Sequence, residues 1–198
     1  MTRLRRSIPG ELNRNNYLPI LCLAILLPST LVSLRAEGRR WWCVSGDLTL
    51  WTSDAWTRHT SQHLFDPYSL THVLHGFILC GLLAWSLPQV AGRWRFSLAI
   101  AMEALWEVFE NTNYIIDRYR ATTAAIGYEG DSVWNSLGDI TACAIGFLIA
   151  VQIGFRRSSL AFVAAELVLL FWVRDSLVLN IILLLYPIEA LKIWQAGP

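Results

Sequence analysis

Charge is scarce in this chain. Of its 198 residues, 16% are charged and 55% hydrophobic, and the net charge is only +1. No polybasic tail is present, so the electrostatic footprint of a nucleic-acid-binding protein is missing. Paired cysteines are missing too. Cys22, Cys43, Cys80 and Cys143 are far apart, three of them lie inside apolar runs, and no C-x-x-C occurs. That argues against a disulfide framework and against a cysteine-based zinc site. There is no H-E-x-x-H, no internal repeat and no low-complexity stretch. The expectation is a single domain, 1–198, without a metalloprotease motif.

What is abundant is apolar sequence. A membrane crossing needs roughly 20 mostly apolar residues, and ~17 at the least. Suitable runs cover 17–34, 70–87, 95–111, 131–154, 159–173 and 176–194. The first follows MTRLRRS, as in a signal peptide, but it is longer than an ordinary signal core. The LRAEGRRWW after it offers no small-x-small cleavage site, so it reads as a retained anchor helix, kinked at Pro28. A single helix from Ser159 to Trp194 would reach ~54 Å at ~1.5 Å per residue, too long for one crossing. Arg174-Asp175 is therefore read as a hairpin. The predicted fold is all-α: a polytopic transmembrane bundle of about six spans.

Arginine and lysine set the predicted orientation. With the N-terminus inside, the inner side holds Arg3, Arg5, Arg6, Arg14, Arg93, Arg95, Arg156, Arg157 and Lys192, against Arg35, Arg39, Arg40, Arg58, Arg118, Arg120 and Arg174 outside. The short loops LPQVAGRWR and GFRRS carry arginine and no acid. Both termini are expected in the cytoplasm, with Glu189 and Lys192 at the inner interface. Of ten tryptophans, Trp41, Trp42, Trp51, Trp56, Trp94, Trp134 and Trp194 fall near span ends, where indoles form an aromatic belt. WWCVSGDLTLWTSDAW is expected to lie along the outer surface.

Polar residues gather on the outer half of this arrangement. RHTSQHLFDPYSLTHVLHG holds all four histidines, His59, His63, His72 and His75, together with Asp66. EALWEVFEN puts Glu103, Glu107, Glu110 and Asn111 on the third run. Asp131, Asn135 and Asp139 follow at i, i+4 and i+8 on the fourth, one stripe of a helix. An acid at the bilayer centre costs roughly 2.5–3.5 kcal/mol on the insertion scale. Several of them are tolerable only when they face one another or a wet cavity.

Three chemistries fit. Glu103, Glu107 and Asp139 are candidate catalytic acid–base groups, because carboxyls sharing a low-dielectric pocket resist joint ionisation; a structural pair sharing one proton fits equally. His72 and His75, with Glu110 and Asp131 beside Glu107 and Asp139, form a candidate set for a divalent transition metal such as Zn, Mn or Fe. The same residues read as a metal-free network holding three helices together, and H-x-x-H does not separate the two. Arg118 and Arg120 are candidates for an anionic headgroup, with a solvated loop of local ion pairs as the alternative. Asn111, Asn135, Arg174, Asp175 and Asn180 complete the expected cavity lining. Ser132 reads as a helix-start residue rather than a hydrolase serine. Glu166 either faces the cavity or bonds another helix.

The blocks LFDPYSLTHVLHG, ALWEVFENTNYIIDRYR, GYEGDSVWNSLGDI and RDSLVLNIILLLYPIEALKIWQ resemble a family of uncharacterised multi-pass inner-membrane proteins of alphaproteobacterial type, classed as a domain of unknown function. The resemblance spans about Trp51 to Gln195. A looser similarity connects the chain to VanZ-like membrane proteins. The family resemblance implies a plasma-membrane location; it carries over no activity and no site residues. Three functions stay open. They are an enzyme acting on a lipid or lipid-linked envelope substrate, a structural or assembly protein, and a proton- or cation-coupled transporter. The inner half of the fourth run, CAIGFLIAVQIG, offers little polar path for transport.

Overall fold

The computed structural model describes residues 9–125 and 127–196. Arg3, Arg5 and Arg6 lie outside them, as does the side chain of Arg14. Among the described residues eight helices follow one another: α1 (Pro9–Ala36), α2 (Ser69–Ser86), α3 (Gly92–Glu110), α4 (Asn113–Thr122), α5 (Val133–Ile153), α6 (Phe155–Trp172), α7 (Leu177–Leu185) and α8 (Glu189–Gln195).

The bundle is built inside out relative to a water-soluble domain. Ile20, Ile25 and Val32 of α1 and Leu160 and Phe171 of α6 point outward, while the interior collects histidines and carboxylates. Among the described residues three helices are long and apolar enough to cross a membrane, namely α1, α2 and α5. The pair α6–α7, bent by 73°, makes a fourth if it counts as one broken span. Helix α3 lies alongside α1 and α5. It falls short on apolarity because Arg93, Arg95, Glu103, Glu107 and Glu110 all belong to it.

The expected sixth span, 176–194, is not one helix. It breaks between α7 and α8 at Tyr186-Pro187-Ile188. Pro187 has no N–H to continue the ladder, and its ring disfavours helical backbone at Tyr186. The chain turns back there, so α8 sits at the opposite end of the bundle from the one expected. Lys192 Nζ donates to the Ala121 carbonyl at 2.7 Å, and Trp56 Nε1 donates to the Gln195 carbonyl at 3.4 Å. The C-terminal helix thus packs where α1 ends and α2 begins, whereas the start of α1 is at the other end, with Pro19 against Ser97 of α3. The helix course does not bring the two ends of the described chain to one side.

The tightest pairing is α2 against α5. Along α5, Gly138, Ala142, Gly146 and Ala150 recur every four residues and are buried. Such a small-residue stripe lets helix backbones approach closely. A Cβ on Gly146 would overlap the Val73 carbonyl of α2, and one on Gly76 would overlap the Cys143 carbonyl of α5.

The start of α5 is clamped by the loop that precedes α2. The amides of Ser132, Val133 and Trp134 donate to the carbonyls of Ser61, Arg40 and Trp41 at 2.8, 2.8 and 3.3 Å. Ser132, the expected helix-start residue, accepts from the Asn135 amide at 3.1 Å. The first-turn donors, which a helix cannot satisfy itself, are thereby all used.

Candidate functional site

Close packing of α2, α3 and α5 brings five of the sequence candidates together. His72 Nδ1 donates to Glu103 Oε1 at 2.6 Å, and His75 Nδ1 lies 3.0 Å from both oxygens of Glu103. Glu107 Oε1 is 3.3 Å from His72 Nδ1, and Asp139 Oδ2 is 3.9 Å from His72 Nε2. Ser69 Oγ donates to Asp139 Oδ1 at 2.8 Å, joining α2 to α5. Antiparallel order places the first half of α2 beside the second half of α3 and the first half of α5. The i, i+3 and i, i+4 spacings then turn the side chains onto facing stripes.

Glu107 stands out. It is 0% exposed, and neither carboxylate oxygen has a hydrogen-bond donor. Burying such a group without protein partners is costly, which singles Glu107 out among the carboxylates of the cluster.

Of the expected ligand set, His72 comes together with Glu107 and Asp139, while Glu110 and Asp131 bond elsewhere. Glu110 Oε1 accepts from Tyr119 OH at 2.8 Å, and Asp131 accepts from Tyr128 OH at 2.9 Å and Asn111 Nδ2 at 2.8 Å. The histidines also meet Glu103, and in both the His72–His75–Glu103 and the His72–Glu107–Asp139 group the donor atoms are close enough to share an ion. In the present geometry His72 and Glu103 are hydrogen-bonded. Two ligands of one tetrahedral zinc stand about 3.3 Å apart when each bond is 2.0–2.1 Å, longer than the 2.6 Å between this pair.

A cavity of about 910 Å³ opens beside this cluster. Its lining combines polar side chains, among them His72, His75, Glu103, Glu110, Asp131, Asp139 and the hydroxyls of Tyr68, Tyr119 and Tyr128, with apolar ones, Ile78, Leu79, Met102, Trp106, Ile181 and Leu184. The two kinds interleave: Trp106 lies between Glu103 and Glu110 on α3, and its ring meets that of His75 edge-on at 6.1 Å. Ile78, Met102 and Ile181 are 44, 42 and 46% exposed.

The remaining candidates divide between lining and scaffolding. Asp175 and Asn180 line the cavity, and Asn180 Nδ2 donates to Asp175 Oδ2 at 3.2 Å. Asn111 and Asn135 do not line it. Asn111 forms a reciprocal pair with Asp131, its Oδ1 accepting from the Asp131 amide at 2.7 Å, and Asn135 Nδ2 donates to the His63 carbonyl at 2.9 Å. Arg174 adopts a left-handed φ of 53° at the α6–α7 bend and donates to the Trp194 carbonyl at 3.3 Å. Arg118 Nε donates to the Leu184 carbonyl at 2.8 Å, capping α7, and Arg120 Nε donates to the Tyr128 carbonyl at 2.5 Å. Neither of these two arginines lines the cavity. Glu166 bonds another helix: its carboxylate accepts from the amides of Leu177 and Val178 at 3.0 and 3.1 Å, at the start of α7.

Outside the helices, burial pushes the carboxyl of Asp131 upward, against the hydrogen bonds from Asn111 and Tyr128. Asp66 moves the same way for the same first cause, with the Ser61 amide pulling it back. Its side chain also accepts from the amides of Tyr68 and Ser69 at the start of α2.

Sequence reasoning missed the three tyrosines that hold or border the carboxylates, and also Cys43. It looked for a second cysteine, whereas the Cys43 thiol meets His59. The signal was that Cys43 is the one cysteine outside an apolar run.

With this geometry in place, kinship decides the family. The model of a protein of unknown function, DUF2585, matches residues 34–197. The chain belongs to that family. A UPF0314 protein of Sphingopyxis alaskensis is 39% identical over 188 residues, covering 95% of this chain and 98% of the relative. One of Brucella anthropi is 40% identical over 161 residues, covering 81% and 82%. UPF0314 protein R03235 of Rhizobium meliloti is 39% identical over 178 residues, or 90% of each chain. Comparison with solved structures finds no significant match. The DUF2585 match excludes α1 up to Ser33 and contains every residue of the acid–histidine cluster.

Proposed function

We propose that this DUF2585 chain is a multi-pass protein of the bacterial inner membrane that takes a lipid or lipid-linked envelope substrate into its cavity and performs acid–base chemistry there. The observation that carries this reading is the mixed lining of the cavity. It sets His72, Glu103 and Asp139 among apolar side chains such as Ile78, Met102 and Ile181. An amphiphile presents the same two kinds of surface, and sites of this kind combine an apolar lining with a few convergent polar groups. Glu103 orients both imidazoles, and Asp139, which lines the cavity beside His72, is the group that exchanges a proton with the headgroup, with the buried Glu107 behind them against His72.

The cluster end of the bundle faces outward in this reading. The opposite end carries Arg93, Arg95, Arg156 and Arg157 at the starts of α3 and α6 without an acid between them, the pattern of cytoplasmic loops. Moving Lys192 to the cluster end levels the basic residues at eight on each side, so these two short loops carry the orientation. The N-terminus is then cytoplasmic and α8 lies on the outer side. Transport is disfavoured because the acids stop at Asp139, in the first half of α5.

A structural role has its own support in the Asn111–Asp131 and Asn135–His63 ties. Complementation of a deletion strain separates the two. Glu107→Gln and Asp139→Asn are expected to accumulate like wild type in the membrane yet fail to restore the envelope lipid profile. Full restoration by both variants would sink the enzymatic reading, and loss of abundance in both would favour the structural one.

A further inference from the structure

A second cluster is separate from the acid–histidine cluster, although Cys43 also lines the cavity. Cys43 follows α1, His59 and His63 precede α2, and their Sγ, Nδ1 and Nε2 atoms lie within 4.8 Å of one another. His59 Nδ1 is 3.4 Å from Cys43 Sγ and 3.2 Å from His63 Nε2. Around one tetrahedral zinc, with Zn–S about 2.3 Å and Zn–N 2.0–2.1 Å, the corresponding ligand separations are about 3.6 and 3.3 Å. Both observed separations sit within a few tenths of an ångström of these.

The surroundings prepare each donor. His63 Nδ1 is 2.6 Å from the Thr49 carbonyl, which can only accept. That fixes the proton on Nδ1 and turns the Nε2 lone pair toward the cluster, the orientation ligating histidines receive from their outer partners. Asn135 holds the His63 backbone through its carbonyl. Ser45 Oγ lies 3.1 Å from Cys43 Sγ, placed to donate to a thiolate. Cys43 and His63 are buried. Without an ion, one proton on His59 Nδ1 can satisfy the His63 lone pair or the sulfur, but not both.

We propose that Cys43, His59 and His63 bind one Zn²⁺, with a fourth position left for water. One thiolate and two imidazoles suit zinc, and three protein donors with an open position is the arrangement of exchangeable or catalytic zinc rather than a closed structural site. The ion would close the loop between α1 and α2 over the start of α5. This assignment is independent of the cavity's substrate.

The test uses the full chain in detergent, stripped with a chelator and titrated with Co²⁺. The expected result is one equivalent bound, with a thiolate-to-cobalt charge-transfer band in the near ultraviolet. Cys43→Ser removes the band, and His59→Ala weakens binding at least ten-fold. Cys22→Ala/Cys80→Ala/Cys143→Ala, which leaves Cys43 as the sole thiol, keeps the band, as does His72→Ala/Glu107→Ala. Should Cys43→Ser fail to fold, His59→Ala and the sole-thiol variant decide. A folded wild type without the band, or a band that survives loss of Cys43, overturns the assignment. A band lost only in His72→Ala/Glu107→Ala would also overturn it.

Discussion

The four histidines form two pairs that began as one stretch of sequence and ended in opposite chemistry. His72 and His75 lie one turn apart on α2 and face Glu103, with Glu107 and Asp139 beside them. His59 and His63 sit in the loop before α2, with stacked rings 5.4 Å apart, and face a thiol. In the first pair the contacts have hydrogen-bond length and the partners are acids, so protons are the currency. In the second pair the spacing is that of ligands around an ion. A histidine's role is set by what stands opposite it, not by its neighbours in sequence.

The sharpest way to break this comparison is to remove the centre of the first cluster. Glu103→Ala leaves the ring N–H groups of the buried His72 and the half-buried His75 without their acceptor. Losing one partner of a buried ionic pair typically costs 3–5 kcal/mol, so a loss of about that size is expected in detergent unfolding. Cys43→Ser in the metal-free protein is expected to change stability little, because the thiol's contribution depends on the ion. If the two substitutions cost the same without metal, the distinction between proton network and ion site fails.

A second substitution asks whether the two clusters share a support. Gly138 of α5 lies against the Leu64 carbonyl, and an added Cβ would overlap that carbonyl. Leu64 follows His63, and Asp139 follows Gly138, so one contact joins the loop to the acid cluster. Gly138→Ala must lift the loop, at a cost of about 1–3 kcal/mol as in other overpacked interiors. Cobalt binding is expected to weaken with it. Unchanged cobalt affinity beside lowered stability would place the strain in α5 alone.

How much of this was readable in advance follows from the kind of order involved. The apolar helices and the meeting of His72, Glu103, Glu107 and Asp139 came from short-range periodicity, which sequence displays directly. The Ser132 cap came from local hydrogen-bond chemistry. The break before α8 was also written in the chain, in Pro187, but the apolar residues of LLLYPIEAL concealed it. The Cys43 cluster was not legible, because it joins residues across a loop with no period. The orientation of Arg118 and Arg120 was not legible either, since backbone carbonyls that attract a guanidinium leave no mark in sequence.

The smallest expected effect concerns Ser132, which touches both halves of the comparison. Its Oγ accepts from the Asn135 amide and donates to the Gln62 carbonyl, each at 3.1 Å. Ser132→Ala therefore removes the cap of α5 and a tie to the residue preceding His63. Losing such a cap typically costs ~1 kcal/mol, less than either change above. Asn135 still holds the His63 carbonyl, so cobalt affinity is expected to fall less than in Gly138→Ala. Ser132→Thr keeps the hydroxyl and should restore most of the stability. A larger loss of cobalt affinity in Ser132→Ala than in Gly138→Ala would mean that the loop is held mainly through Gln62, and the Leu64 contact would lose its place as the link between the two clusters.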